Sequence, residues 1–148
     1  MSPGLVFSAV FAVLYAAHML ADHWAQTNRQ AATKGRPGWD GRRACAAHVT
    51  SYTATAAALL ALTAWRTGLD LNAGRCTLAL LVSAASHYWA DRRTTLAHLA
   101  RLLGKQGFFD LGMPRPGRDD NPSLGTGAYA LDQSWHITWL FIAALIIA

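Results

Sequence analysis

Four long runs without a formal charge separate the charged residues of this 148-residue chain. The runs are residues 1–21, 44–65, 76–90 and 133–148. A helix needs about 20 predominantly apolar residues, and at least about 17, to cross the hydrocarbon core of a bilayer. The first two runs reach this length, whereas the last two reach it only if Asp91 and Asp132 lie inside the apolar slab. The sequence therefore predicts an integral membrane protein in which these two aspartates are buried.

Composition argues against the soluble classes of protein. Only 14% of the residues are charged and 53% are hydrophobic, whereas a soluble domain has about 25% charged residues. The eight acidic residues are all Asp, although Glu is common on solvated helix surfaces. The net charge of +5 does not indicate a nucleic-acid partner, because the bases lie between the uncharged runs, as they do in membrane loops.

We predict an all-α fold, with a single transmembrane domain over residues 1–148 that forms an integral membrane four-helix bundle. The predicted spans are residues 4–27, 43–66, 75–93 and 127–147, and a long cytoplasmic segment, 94–126, joins the last two. After the third span, Leu96, Leu99 and Leu103 share one helix face. This periodicity predicts an amphipathic helix that lies at the membrane interface.

The basic residues predict the orientation of the bundle. Five lie in the first loop, residues 29–43, and six lie in residues 92–127, but the middle loop has only Arg66 and Arg75. Cytoplasmic loops carry an excess of Lys and Arg, so we expect the first and third loops in the cytoplasm and both termini outside. The high content of Ala and Arg suggests a GC-rich bacterial genome, and hence a bacterial cytoplasmic membrane.

Polar residues inside the predicted spans follow a repeated pattern. Spans one, three and four each carry a His and an Asp four residues apart, and residues at i and i+4 lie on one helix face. Span four runs in the opposite direction to spans one and three, and its pair has the reverse order, Asp before His. The histidines therefore lie at one depth and the aspartates one turn nearer the cytoplasm, with His48 of span two close to the histidine layer. The three pairs are His18 and Asp22, His87 and Asp91, and Asp132 and His136.

These side chains predict a metal site inside the bundle. Ionisable groups within a membrane span need mutual compensation and face the bundle interior. Imidazole and carboxylate groups suit divalent transition metals, so we predict one or two ions of Zn, Fe or Mn. We call the helix face that carries each His and Asp pair a stripe. If the stripes face a common axis of the bundle, His18 and His136 lie within about 10 Å of each other. The predicted ligands are a subset of His18, Asp22, His48, His87, Asp91, Asp132 and His136, with Gln26 and Gln133 beside them.

Two other arrangements of the same residues remain open. The first is a hydrogen-bond network or proton relay without a metal. The second is a haem held by two histidines from facing helices, although three carboxylates within one turn make a poor pocket for a porphyrin.

At these residues the chain resembles a catalogued, uncharacterised bacterial family of small polytopic membrane proteins. The resemblance rests on H-x-x-x-D-x-x-x-Q at the end of the first helix, His48 at the start of the second, H-x-x-x-D in the third, and D-Q-x-x-H over residues 132–136. It covers most of the chain. It implies the four-helix fold and the membrane location, but no established activity.

Two classes of function fit the pattern. The first is a membrane-embedded, metal-dependent hydrolase at the inner leaflet, in which a spare Asp or His acts as the base on a lipid or lipid-linked headgroup. The second is a non-enzymatic protein that handles metal ions or protons, such as a transporter subunit, a sensor or an assembly factor. Four helices are few for a monomeric transporter, so that version requires a homo-oligomer.

Overall fold

A computed structural model describes residues 2–113 and 125–148, which form helices and connecting turns with no strand among them. The first helix continues into a π-helical turn, Ala21–Ala25. The α-helices within these ranges are α1 (Pro3–Leu20), α2 (Asn28–Thr33), α3 (Gly38–Thr67), α4 (Ala73–Asp91), α5 (Thr94–Leu102), α6 (Gln106–Phe109) and α7 (Gly127–Ile147). The prediction of an all-α fold is confirmed.

The four long helices pack as a ring. Helix α1 contacts α3 and α7, and α4 contacts the same two helices from the other side. Phe7 near the start of α1 packs edge-on against Phe141 near the end of α7, with ring centroids 5.3 Å apart, so these two helices are antiparallel. One end of the bundle therefore collects the C-terminal ends of α1 and α4 and the N-terminal ends of α3 and α7.

The core between these helices has an apolar half and a polar half. Large side chains such as Leu14, Leu60 and Leu140 fill the apolar half. The polar half lies at the end just defined, where α1 ends and α7 begins. The buried polar and charged residues are His18, Lys34, His48, Ser83, Ser86, His87, Asp91 and His136.

The outer surface of the bundle is also apolar. Leu78, Leu81 and Leu145 are each more than half exposed. Helix α1 with its π-helical turn, α3 and α7 are long and apolar enough to cross a membrane, whereas α4 is not among the helices that meet this criterion. Length and composition thus agree with three of the four predicted spans.

The chain leaves the first helix earlier than the predicted span, 4–27, and turns back over the polar end. In the π-helical turn, the Gln26 amide donates to the Ala21 carbonyl over 2.9 Å, and the backbone becomes extended at Gln26. Thr27 and Gln30 then form a reciprocal capping box that starts α2. Helix α3 begins at Gly38, five residues before the predicted start of the second span.

The amphipathic helix that we predicted after the third span is α5. Leu96 and Ala100 are its buried residues, while Leu103, immediately beyond its end, is largely exposed. The rest of the predicted cytoplasmic segment includes residues 114–124, which lie outside the described residues. The basic residues at 115 and 118 fall in this part.

Candidate metal centre

The structure brings the four predicted histidines together in the core. Their ring centroids are 5.0 Å apart for His18 and His136, 4.1 Å for His87 and His136, and 5.1 Å for His48 and His87. The expectation that His18 and His136 lie within about 10 Å is confirmed, because their stripes face a common axis. The other two histidines, His23 and His98, are exposed and take no part.

Four side-chain atoms converge at one point of this cluster, one from the π-helical turn, one from α3 and two from α4. His48 Nε2 lies 3.1 Å from His87 Nε2. Asp22 Oδ1 is 3.4 Å from His48 Nε2 and 3.6 Å from His87 Nε2. Asp91 Oδ2 is 3.3 Å from both of these nitrogens. At this point the predicted histidine and aspartate layers merge, because their side chains reach towards one another.

These separations match the edges of a metal-centred tetrahedron. Zinc binds imidazole nitrogen and carboxylate oxygen at about 2.0–2.2 Å, which places two tetrahedral ligands about 3.3–3.6 Å apart. Adjacent ligands of an octahedron at the same bond length would be about 2.8–3.1 Å apart. Five of the six separations among these atoms are 3.1–3.6 Å, which fits a tetrahedron better than an octahedron. His48, His87, Asp22 and Asp91 could therefore coordinate one divalent ion without large movements.

Several buried atoms of the cluster have no hydrogen-bond partner among the residues that the structure describes. They include two of the four converging atoms, Asp22 Oδ1 and Asp91 Oδ2, and also His18 Nδ1 and His136 Nε2. Buried polar atoms of native proteins are nearly always paired. A cation between these atoms would satisfy the carboxylate oxygens, so the donor set fits a metal ion.

The remaining predicted residues flank the four converging atoms. His136 Nε2 lies 3.5 Å from Asp132 Oδ1 and 3.9 Å from Asp91 Oδ1. His18 Nε2 lies 3.3 Å from Gln133 Oε1. The other ring nitrogen, Nδ1, lies 3.6 Å from Asp22 Oδ2. Gln26 Nε2 is buried and finds no hydrogen-bond partner among the residues that the structure describes.

Sequence reasoning missed Lys34, which it treated only as a charge in the first cytoplasmic loop. Its ammonium lies 2.8 Å from Asp91 Oδ1, and its side chain is only 10% exposed. The Arg92 guanidinium donates to the Lys34 carbonyl over 2.6 Å and to the Arg36 carbonyl over 2.6 Å. The sequence does contain one signal for this turn of the chain. The capping-box pattern of Thr27 and Gln30 marks the start of a new helix after the first span, and Lys34 directly follows that helix.

Sequence reasoning also missed a hydrogen-bonded pair behind the histidines. Tyr52 and Ser83 are buried, and their hydroxyl oxygens lie 2.6 Å apart. The Tyr52 ring stacks on His87 with centroids 4.1 Å apart, which helps to fix the imidazole. Tyr52 follows His48 by four residues and Ser83 precedes His87 by four, so extending each stripe by one turn finds both.

A cavity of about 410 Å³ opens beside the cluster at the polar end of the bundle. The aspartates line its wall, and the histidines lie behind them. Arg93 at its rim has φ 57° in a tight turn, in which the Thr94 amide donates to the Arg92 carbonyl, a strained conformation for a residue other than Gly. The polar side chains on the wall are Asp22, His23, Gln26, Lys34, Asp91, Arg93, Thr126, Tyr129, Asp132 and Gln133.

Comparison with known proteins identifies the family but no function. The model of the family described as "Protein of unknown function (DUF3307)" matches residues 10–148, so the chain belongs to this family. No curated protein and no solved structure matches the chain. The resemblance to an uncharacterised family is thus confirmed, and any function has to be argued from the geometry of the site.

Proposed function

We propose that this member of the family is a membrane-embedded metal protein, and that its metal ion serves the hydrolysis of a lipid or lipid-linked substrate. The observation that carries the proposal is the convergence of four atoms from His48, His87, Asp22 and Asp91 at tetrahedral spacings. Zinc fits these ligands and spacings best, with iron and manganese as the other candidates.

The membrane location is supported by the surface of the bundle. Three long helices are long and apolar enough to cross a bilayer. The outer surface of the four-helix ring is also apolar, and Leu81 of α4 and Leu145 of α7 are each more than half exposed on it. A soluble protein rarely exposes contiguous apolar surface of this kind. We propose that α4 crosses the bilayer with them, since it packs between α3 and α7.

The orientation follows from the bases at the polar end. Exposed bases are concentrated in the connection between α1 and α3 and after α4, so we propose that this end and its cavity face the cytoplasm of a bacterial cell. Single cysteines at Asp40 and Asp70, introduced after Cys45 and Cys76 are replaced by alanine, test this. A membrane-impermeant maleimide added from outside should label Asp70→Cys only, and labelling of Asp40→Cys instead would invert the topology.

The cavity supports hydrolysis because the ionisable groups on its wall have separable roles. A bound divalent ion would supply the Lewis acidity that makes water a nucleophile. Asp132, beside His136 and outside the converging set, is placed to take the proton of that water. The hydroxyl group would join the electrophilic carbon or phosphorus, and the proton would pass to the leaving group.

A second candidate function is a closed centre that stores, senses or transfers a metal ion without catalysis. The observation that favours it is the same tetrahedron, because four protein ligands leave no position for water, as in structural zinc sites. A catalytic centre requires one carboxylate, Asp22 or Asp91, to yield its place to water or substrate. A haem is not favoured, since ring centroids of 4.1–5.8 Å leave no space for a macrocycle.

Two measurements on the untagged protein in detergent test the proposal. Elemental analysis should find about one transition-metal ion per chain, and a protein without metal would overturn it. Replacing the native ion by Co²⁺ then gives a visible spectrum that reports coordination number. A change of this spectrum when acetohydroxamate is added would support the hydrolase, whereas an unchanged tetrahedral spectrum would favour the closed centre.

A further inference from the structure

We infer that the Lys34 ammonium takes up the Asp91 oxygen that a second metal ion would need and so restricts the centre to a single divalent ion. The inference rests on the proposed function, because it concerns the same cluster. It assigns a second, latent cation site to Asp91, Asp132 and His136, in which the Asp91 oxygen is already engaged by a side chain.

The donors of this latent site form a group of their own. One atom each from Asp91, Asp132 and His136 lies within 4.8 Å of the other two. The nitrogen His136 Nε2, which is 3.5 Å from Asp132 Oδ1 and 3.9 Å from Asp91 Oδ1, has no hydrogen-bond partner among the described residues. A second ion at this group would give that nitrogen a partner.

Asp91 belongs to both groups through different oxygens. Its Oδ2 is one corner of the tetrahedron with His48 and His87, and its Oδ1 faces His136. A carboxylate that offers one oxygen to each of two cation positions is typical of dinuclear centres in helix bundles, where the two ions lie about 3.5–4 Å apart. The geometry is therefore that of a two-ion site.

Lys34 engages the oxygen that Asp91 offers to the second of these positions. Its Nζ lies 2.8 Å from Asp91 Oδ1, the oxygen that a second ion would require. The position of this ammonium is built into the fold, because Arg92 binds the carbonyl groups of Lys34 and Arg36. The close approach of α3 to the same loop is only compatible with glycine at Gly41, since a Cβ there would overlap the Arg36 carbonyl oxygen.

The charges of the cluster lead to the same conclusion. Asp22, Asp91 and Asp132 carry three negative charges when ionised, of which Lys34 neutralises one and a single divalent ion neutralises two. A second divalent ion beside Lys34 would leave the buried cluster with two excess positive charges. Uncompensated charge is strongly disfavoured in a buried site, so one ion together with Lys34 is the balanced composition.

Counting zinc ions in purified variants tests the inference. The wild-type protein should bind one equivalent of Zn²⁺ per chain, and Lys34→Met, which keeps the length of the side chain without its charge, should bind two. The charge-preserving control Lys34→Arg should remain at one. Adding Asp132→Asn to Lys34→Met should return the count to one, because it removes a ligand of the second ion only.

Other results would overturn the inference in distinguishable ways. A count of one in folded Lys34→Met and in the shorter variant Lys34→Gln would refute it and leave the metal centre intact. A count of two in the wild-type protein would refute it without any variant, again leaving the proposed function in place. A wild-type protein that binds no zinc would remove the proposed function, and this inference with it.

Discussion

Replacing His87 by glutamine should weaken metal binding far more than the same change at His18. His87 Nε2 is one of the four converging atoms, whereas His18 contacts the cluster through Asp22 at 3.6 Å. A tetrahedral zinc site contributes about 10–16 kcal/mol of apparent binding free energy, or about 2.5–4 kcal/mol for each of four ligands. Losing one ligand should thus raise the Kd by about two to three orders of magnitude.

The effect of His18→Gln should be smaller, because loss of a residue that only supports a ligand typically weakens metal affinity by about 10–100-fold. The assay is competition for Zn²⁺ between the detergent-solubilised protein and a chromophoric chelator of known affinity. His98→Gln is the matched control, since His98 is exposed and its replacement should leave the Kd unchanged.

An equal or larger loss in His18→Gln would refute this assignment of the ligands. It would move the ion to the alternative group of His18, His87 and His136, which also lie within 4.8 Å of one another through one atom each. His48→Gln then decides between the two groups, because His48 belongs only to the tetrahedral one. A zinc Kd that no histidine replacement alters would remove the metal centre altogether.

Two further changes test the packing around the site. Gly41→Ala should lower the free energy of unfolding by about 1–3 kcal/mol, because its Cβ would overlap the Arg36 carbonyl oxygen. Thermal unfolding in detergent measures this change. Gly107→Ala is the control, because a Cβ at that position meets open space. Tyr52→Phe should also destabilise the fold, by about 1–3 kcal/mol, because the buried Ser83 hydroxyl loses its 2.6 Å partner. Its zinc Kd should stay unchanged, and a large rise would show that Tyr52 acts on the metal directly.

The sequence was most informative where a helical period applied. Pairs four residues apart, such as His18 with Asp22, have to share a helix face, and the reversed order of Asp132 and His136 fits a helix of opposite direction. These two constraints were enough to expect the stripes to meet. The positions of the side-chain ends along the bundle axis were less predictable. A carboxylate and an imidazole on neighbouring helices, with backbones about one helical turn apart along this axis, can reach towards each other, as Asp22 and His48 do.

Lys34 was beyond the reach of periodicity because its position depends on contacts distant in sequence. The chain has to leave the first helix at a π-helical turn, start α2 at Thr27, and then be held by Arg92, which lies 58 residues after Lys34. In the sequence, Lys34 is one of several bases in a loop, and the positive charge alone accounts for its presence there. Only the three-dimensional structure shows that the Lys34 ammonium forms an ion pair with the buried carboxylate of Asp91.

Helix α4 shows why average apolarity is a poor guide to this type of protein. Among the long helices that the structure describes, α4 does not meet the criterion of length and apolarity for a candidate span, yet it contributes His87 and Asp91 to the cluster. The polar residues of its second half, including Ser83, are buried, while Arg75 near its start is exposed and Leu78 and Leu81 on its surface are more than half exposed. A soluble helix has the opposite arrangement. A helix with its polar side inward is suited to an apolar environment, and the buried polar residues of α4, together with Arg75, account for its low average apolarity.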